Sequence, residues 1–325
     1  MRTGPALLAD IGGTHARFAL GGETREKALD RGTVRDFEVA RFPSLAACAR
    51  EYLRDLAAKP GRAVIAAAGP VDAGTIRLTN HPWTVAAAEL ERELGLAPVE
   101  LINDFSAIAT SLPWLAPGEL EAIGKPRLRG GAGPRRYVVL GPGTGLGVAA
   151  LLLRDGEPVV VDSEGGHAEF APFTDEEREI LRVLARRFGR VSWERLLSGP
   201  GLENIYAALA EIDGGGAIAL AAPEVGKRAR DRSDARAVGS VRAFAAMLGA
   251  FAGDMVLTFG AWDGAYRAGG IARLLRAWIA EDGFRARFED KGRFAARLAN
   301  VPVLAILDPH PGLLGAAVHA ASART

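Results

Sequence analysis

The sequence predicts an α/β protein of two domains, on three observations. Its 325 residues exceed what one hydrophobic core holds comfortably. Apolar runs of strand length alternate with stretches of helical spacing. An apolar run, a glycine-threonine turn and a second apolar run also occur together twice, 130 residues apart from Thr14 to Thr144.

The first copy runs from Leu7 to Leu20 around Gly12-Gly13-Thr14, and the second from Tyr137 to Ala150 around Gly143-Thr144-Gly145. Runs of this length bounded by glycine read as buried strands joined by a tight turn. Glycine lets backbone N–H groups approach an anion and permits positive φ, and the threonine hydroxyl adds a donor. A single copy would favour an ordinary hairpin, since glycine turns are common. The repeat points instead to a nucleotide's phosphates held between two halves. No P-loop is present, since Gly118 to Gly124-Lys125 has the wrong spacing and runs into Pro126. The dinucleotide pattern Gly-x-Gly-x-x-Gly likewise fails at Leu146.

Between the copies, Ser44 to Ala58 has helical spacing and Arg62 to Ala68 reads as a strand ending at Gly69-Pro70. Val85 to Leu94 reads as a helix stopped by Gly95. Val99 to Ile102 is a short strand that delivers Asn103-Asp104 to its carboxyl end, where open α/β sheets gather ligand groups. Phe105 to Leu112 continues as a helix up to Pro113. The second half is expected to hold strands over 137–153, a loop from Asp162 to Pro172, and a helix from Asp175 with acids in its first turn. Gly130 to Pro134 and Gly214 to Gly216 read as loops, and Lys227 to Arg242 as a solvated helical face. Gly269-Gly270 precedes a helical stretch from Ile271 to Ala280, either a third nucleotide contact or a plain strand-to-helix turn. Pro311 to Gly315 opens a last helix expected to pack back on the first domain, which makes that domain discontinuous.

Composition narrows the function. Lys+Arg 40 against Asp+Glu 39 leaves a net charge of +1, too small a field to recruit nucleic acid or an anionic membrane, and a small-molecule partner is expected. The lone cysteine, Cys48, makes no internal disulfide and suits a reducing cytoplasm. No signal peptide or membrane span is expected, because Asp10 cuts the first apolar stretch and no eighteen apolar residues run together.

Three polar clusters interrupt apolar surroundings: Asn103-Asp104, Glu164-Gly165-Gly166-His167, and Glu194 before Ser198 to Gly201. Carboxylates, an amide and an imidazole bracket sugar hydroxyls, since each hydroxyl both donates and accepts. Each group also has a plainer reading: Asp104 as a helix cap, Glu164 as solvated, His167 as a core histidine bonded to a carbonyl. Together with two phosphate turns they favour a polyol site. Phosphoryl transfer from ATP needs the phosphates held, magnesium bridging them, and the acceptor hydroxyl aligned beside a base. Asp104 is assigned as that base. Asp10, before the first glycines, is placed to orient magnesium or its waters, with a turn-forming role as the plainer alternative.

In these segments the chain resembles the bacterial ATP-dependent glucokinases, the non-ROK branch of the hexokinase, Hsp70 and actin-like ATPase superfamily. The resemblance spans nearly the whole length: Asp10 to Thr14, Thr79 to Trp83, Ile102 to Phe105, Gly143 to Gly147, Glu164 to His167, Glu194 to Gly201, Gly283 to Phe294 and Pro311 to Gly315. It implies a two-domain, ribonuclease H-like fold with a central cleft that closes on glucose. The small domain would be 1–113 plus 308–325 and the large one 114–307. By resemblance Asp104 is the catalytic base, and Asn103, Asp104, Glu164, His167 and Glu194 meet glucose. Gly12, Gly13, Thr14, Gly143, Thr144 and Gly145 meet phosphate, with Asp10 beside Mg²⁺, and Gly269-Gly270 lies on the adenosine side. ATP and Mg²⁺, a homodimer and a cytoplasmic first step of glycolysis follow. His15 departs from the asparagine usual in the family. ROK kinases are disfavoured because no cysteine follows Cys48, and ROK repressors because the first strand begins within ten residues of the start. The competing readings are a kinase for fructose, mannose or glucosamine, and a non-catalytic sugar or nucleotide sensor.

Overall fold

The computed structural model describes residues 4–322 except 23, 25–27, 58, 80, 125–132, 217 and 280. Most of the loop predicted at Gly130 to Pro134, Lys125-Pro126, Asn80, and Ala58 and Ala280 at two predicted helix ends lie outside those residues. Two compact units emerge. One comprises Met1–Glu119, Pro158–Asp162 and Leu307–Thr325; the other comprises Leu120–Glu157 and Ser163–Ile306.

In the first unit the strands are β1 (Ala6–Ile11), β2 (His15–Gly21), β3 (Leu29–Glu38), β4 (Arg62–Ala67), the short β5 (Val71–Asp72), β6 (Thr75–Arg77) and β7 (Thr84–Ala86), and β8 (Val99–Asn103). They form a five-stranded sheet in the order β3-β2-β1-β4-β8 and a small sheet β5-β6-β7. β1 pairs antiparallel with β2 and parallel with β4, which pairs parallel with β8. Leu7, Ala9, Ile11, Ala16 and Phe18 alternate along the hairpin and meet Cys48 and Tyr52 of the helix Leu45–Arg54. Phe18 stacks on Tyr52 at 5.4 Å between centroids. Burial pushes the Cys48 thiol up to about 12, leaving it a neutral core group. The helices Asp104–Ser111 and Pro311–Ser322 pack together, the latter also against β1 and β4. Gly315 permits this approach, since a Cβ there would fall 1.6 Å from the Ala107 carbonyl.

The strands β9 (Leu120–Ala122), β10 (Arg135–Pro142), β11 (Leu146–Arg154), β12 (Glu157–Ser163), β13 (Gly264–Arg267) and β14 (Val303–Ile306) form a six-stranded sheet, order β12-β11-β10-β13-β14-β9. β10 pairs antiparallel with β11 and parallel with β13, which pairs parallel with β14. A hairpin beside parallel strands thus occurs in both sheets, which is the physical origin of the sequence repeat. The copies differ by one residue of register. Ile11 pairs with Ala16, but Pro142 pairs with Leu146, so the second turn is one residue tighter. The second unit's core surrounds the 25-residue helix Ala235–Phe259. That helix is long and apolar enough to cross a membrane, yet most of its residues are buried inside the unit.

Several boundaries differ from the sequence reading. The helix expected from Val85 starts at Ala87, because Val85 and Ala86 hydrogen-bond in the small sheet. The helix expected from Phe105 begins at Asp104 and ends at Ser111, with a 3-10 turn at Leu112–Trp114. Asp162 belongs to β12 rather than a loop. The stretch after Gly270 divides into Gly270–Leu274 and Arg276–Ile279.

Candidate active site

Parallel strands put their carboxyl ends on one edge of a sheet, and each unit gathers polar residues there. In the first unit Asp10 sits near the end of β1, Gly12-Gly13-Thr14 form the turn beyond it, and Asn103-Asp104 lie at the junction of β8 and its helix. Asn103, not Asp104, caps that helix: its Oδ1 accepts the N–H groups of Phe105 at 2.8 Å and Ser106 at 3.1 Å. Asn103 Nδ2 donates to the Gly69 carbonyl at 3.1 Å, tying β8 to the turn after β4. Asp104 occupies the first helical turn, where the helix dipole favours a carboxylate, and its Oδ1 accepts Phe105 N–H at 2.9 Å.

Asp10 stands directly across the hairpin from Arg17. Burial raises its pKa above the ordinary aspartate value against the pull of Arg17, while Asp36 adds to the rise. A Cβ on Gly312, at the start of the last helix, would lie 2.8 Å from the Asp10 carboxylate. Arg17 and Asp36 escaped the sequence reading. The available signal was an arginine in an apolar strand, two residues from His15 and therefore on its face.

In the second unit the predicted groups come together. Glu194, in the 3-10 turn Trp193–Arg195, accepts the Leu146 N–H through Oε2 at 2.9 Å, which joins it to the second glycine-threonine turn. Its Oε1 lies 3.9 Å from His167 Nδ1, and His167 Nε2 lies 4.0 Å from Glu164 Oε2. Glu164 and His167 are more than half exposed, at 60% and 53%, so His167 is not the core histidine of the plainer reading. Ser198 caps the helix Gly199–Ile212, and Gly199 N–H bonds the Gly143 carbonyl at 2.8 Å. Gly269 lies against the end of β10 at φ +92°, where a Cβ would meet the Pro142 carbonyl at 2.4 Å. Gly269-Gly270, the pair expected on the adenosine side, thus adjoins the turn that contains Thr144.

The turn glycines work differently from expectation. Gly12, Gly13, Gly143 and Gly145 all keep negative or extended φ. The Gly12 N–H closes its own turn on the His15 carbonyl at 2.9 Å, and the Gly143 N–H closes on Gly145 at 2.8 Å, so neither donor faces an anion. Of Gly12, Gly143 and Gly145 only Gly145 is held to glycine by space, since a Cβ there would meet the Glu194 carboxylate, whereas one on Gly143 would meet nothing within 4 Å.

Among the described residues no three His, Cys, Asp or Glu side chains cluster as a metal cage. Mg²⁺ needs none, because it is usually held through one or two carboxylates, water and substrate phosphate. Asp10, a single carboxylate whose charge burial disfavours, fits that donor set.

Residues 7–323 match the family model described as Glucokinase. The glucokinase of Stenotrophomonas maltophilia strain K279a is 46% identical over 321 residues, covering 98% of this chain and 96% of that protein. A crystal structure of glucokinase from an Antarctic psychrotroph superposes with a TM-score of 0.85 at 33% identity, covering 97% of this chain and 98% of the other. A glucokinase from Balamuthia mandrillaris, crystallised in complex with glucose, shares the fold with a TM-score of 0.76 at 21% identity, covering 98% and 94%.

Proposed function

The chain belongs to the glucokinase family and is an ATP-dependent hexose kinase, and from that premise we propose how its residues divide the transfer of the γ-phosphoryl group of ATP to the 6-hydroxyl of D-glucose. Glucose 6-phosphate and ADP are the products. The observation that carries the division of labour is the contact of Glu194 with both the Gly143-Thr144-Gly145 turn and the Glu164–His167 pair.

Asp104 takes the proton of the 6-hydroxyl as the oxygen attacks phosphorus, a role typically worth about 10²–10⁴-fold in rate. Asn103, through the N–H that its bond to Gly69 leaves over, and Glu164, His167 and Glu194 hold the sugar's other hydroxyls and fix its orientation. Thr14 and Thr144 contribute hydroxyl donors to the phosphates. Gly269-Gly270 face the adenosine, Gly269 packed against the Pro142 carbonyl and Gly270 with open space where a Cβ would stand. Asp10 would hold Mg²⁺ or its waters; when bound, the ion neutralises charge on the phosphates. A cytoplasmic location in the first step of glycolysis, and assembly as a homodimer, complete the reading.

A coupled assay with ATP against glucose, fructose, mannose and glucosamine tests it. Glucose is expected to give the highest kcat/KM. A different preferred hexose would move the sugar assignment, and no turnover with any would leave a sensor.

A further inference from the structure

The hairpin face that carries Asp10 also carries a charged cluster that the transfer chemistry leaves unused. His15 opens β2 and Arg17 follows on the same face, with Glu38 and Asp36 opposite them on β3. Asp36 engages both: its Oδ1 lies 2.8 Å from His15 Nδ1, and its Oδ2 accepts from Arg17 Nε at 3.1 Å. His310 borders the group from the segment before the last helix, and its buried Nδ1 has no hydrogen-bond partner among the described residues. Arg17, Asp308, Arg31 and Asp36 act on it electrostatically.

A carboxylate only accepts, so His15 Nδ1 carries a proton in this pair, which fixes what the far side of the ring offers. In the neutral ring Nε2 is a bare lone pair; in the charged ring it is an N–H. The side chain is 44% exposed and follows Thr14 directly, while its backbone carbonyl closes the turn on Gly12 N–H. A phosphate oxygen reaching that ring is repelled by a lone pair and bonded by a charged N–H. With His15 neutral, Asp36 cancels Arg17. With His15 charged the trio carries one net positive charge, balanced across the strands by Glu38.

We propose that His15, held by Asp36, is a phosphate-binding residue that engages only with its ring protonated, so that nucleotide binding takes up a proton at this turn. The proposal rests on reading Gly12-Gly13-Thr14 as a phosphate turn. The proton comes from solvent and returns to it when the nucleotide leaves. Asp36 positions the ring through Nδ1.

Calorimetric titration of the whole chain with Mg·ADP, at pH 7.5 in two buffers of different ionisation enthalpy, counts the protons taken up. Wild type, His15→Asn and His310→Asn are compared, so that protons belonging to the nucleotide cancel. Wild type and His310→Asn are expected to take up more protons than His15→Asn. Wild-type ADP affinity should fall with rising pH more steeply than that of His15→Asn, the difference never exceeding about tenfold per pH unit for one linked proton. Equal uptake by wild type and His15→Asn overturns the proposal, as does loss of the uptake in His310→Asn instead. Glucose phosphorylation by the wild type is measured alongside. Turnover with equal uptake defeats the role of His15 alone, whereas absence of Mg·ADP binding defeats the phosphate-turn reading beneath it.

Discussion

Gly145 and Glu194 are mutually dependent: a Cβ on Gly145 would lie 2.5 Å from Glu194 Oε2, the oxygen that accepts the Leu146 N–H. Gly145→Ala must therefore evict the carboxylate, leave that N–H unpaired, and shift the group facing His167. An unpaired donor costs about 1–3 kcal/mol. Steady-state kinetics should show KM rising for ATP and glucose together and kcat/KM falling about ten- to a hundredfold. Glu194→Gln keeps an oxygen for Leu146 and should impair glucose more than ATP.

Glu164 and His167 are exposed groups spaced by 4.0 Å, a pair that adds little to stability, and the proposed function gives both to glucose. Glu164→Gln or His167→Ala should raise KM for glucose by about ten- to a hundredfold, the cost of one lost bonding partner, while moving KM for ATP less. Thermal melting of both variants should stay near wild type, and unchanged KM for glucose in both would place the sugar elsewhere.

The strand ends and the polar clusters were legible because they depend on local pattern. Asp104 could be placed at a strand's carboxyl end from Val99 to Ile102 alone. The cap was not legible, because Asn103 and Asp104 are both good cap residues and only the geometry shows Asn103 taking the two N–H groups. Nor was the loss of Val85 and Ala86 to a strand, which depends on pairing with Thr75 and Ile76. Arg17 with Asp36, and Gly145 with Glu194, join residues 19 and 49 positions apart that periodicity does not relate. The one-residue register difference between the hairpins was hidden for another reason: the turn sequences align on their threonines although the strands beyond them pair differently.

Asp308 anchors the segment that leads into the last helix. Its side chain is fully buried, bonded to both Arg31 terminal nitrogens at 3.1 and 2.8 Å and to the His310 N–H at 2.9 Å. Burial alone would raise its pKa, but the Arg31 and His310 bonds outweigh it and leave the carboxyl below its ordinary value. The unfolded chain therefore takes up that proton first. The stabilisation is complete above the ordinary carboxylate range near pH 4 and is lost as pH falls through the lower folded value. Asp308→Asn should cost about 2–3 kcal/mol at pH 7, less than a fully buried pair because Arg31 is 45% exposed. Urea unfolding at pH 7 and pH 3 should show the gap narrowing in acid.

Asp104→Asn offers the most direct test of the proposed chemistry, because it keeps the side chain's shape and removes its capacity to take a proton. Calorimetry should find glucose binding within about tenfold of wild type, while kcat for glucose phosphorylation falls by about 10²–10⁴-fold. Near-wild-type turnover in this variant would contradict the assignment of Asp104 as the base.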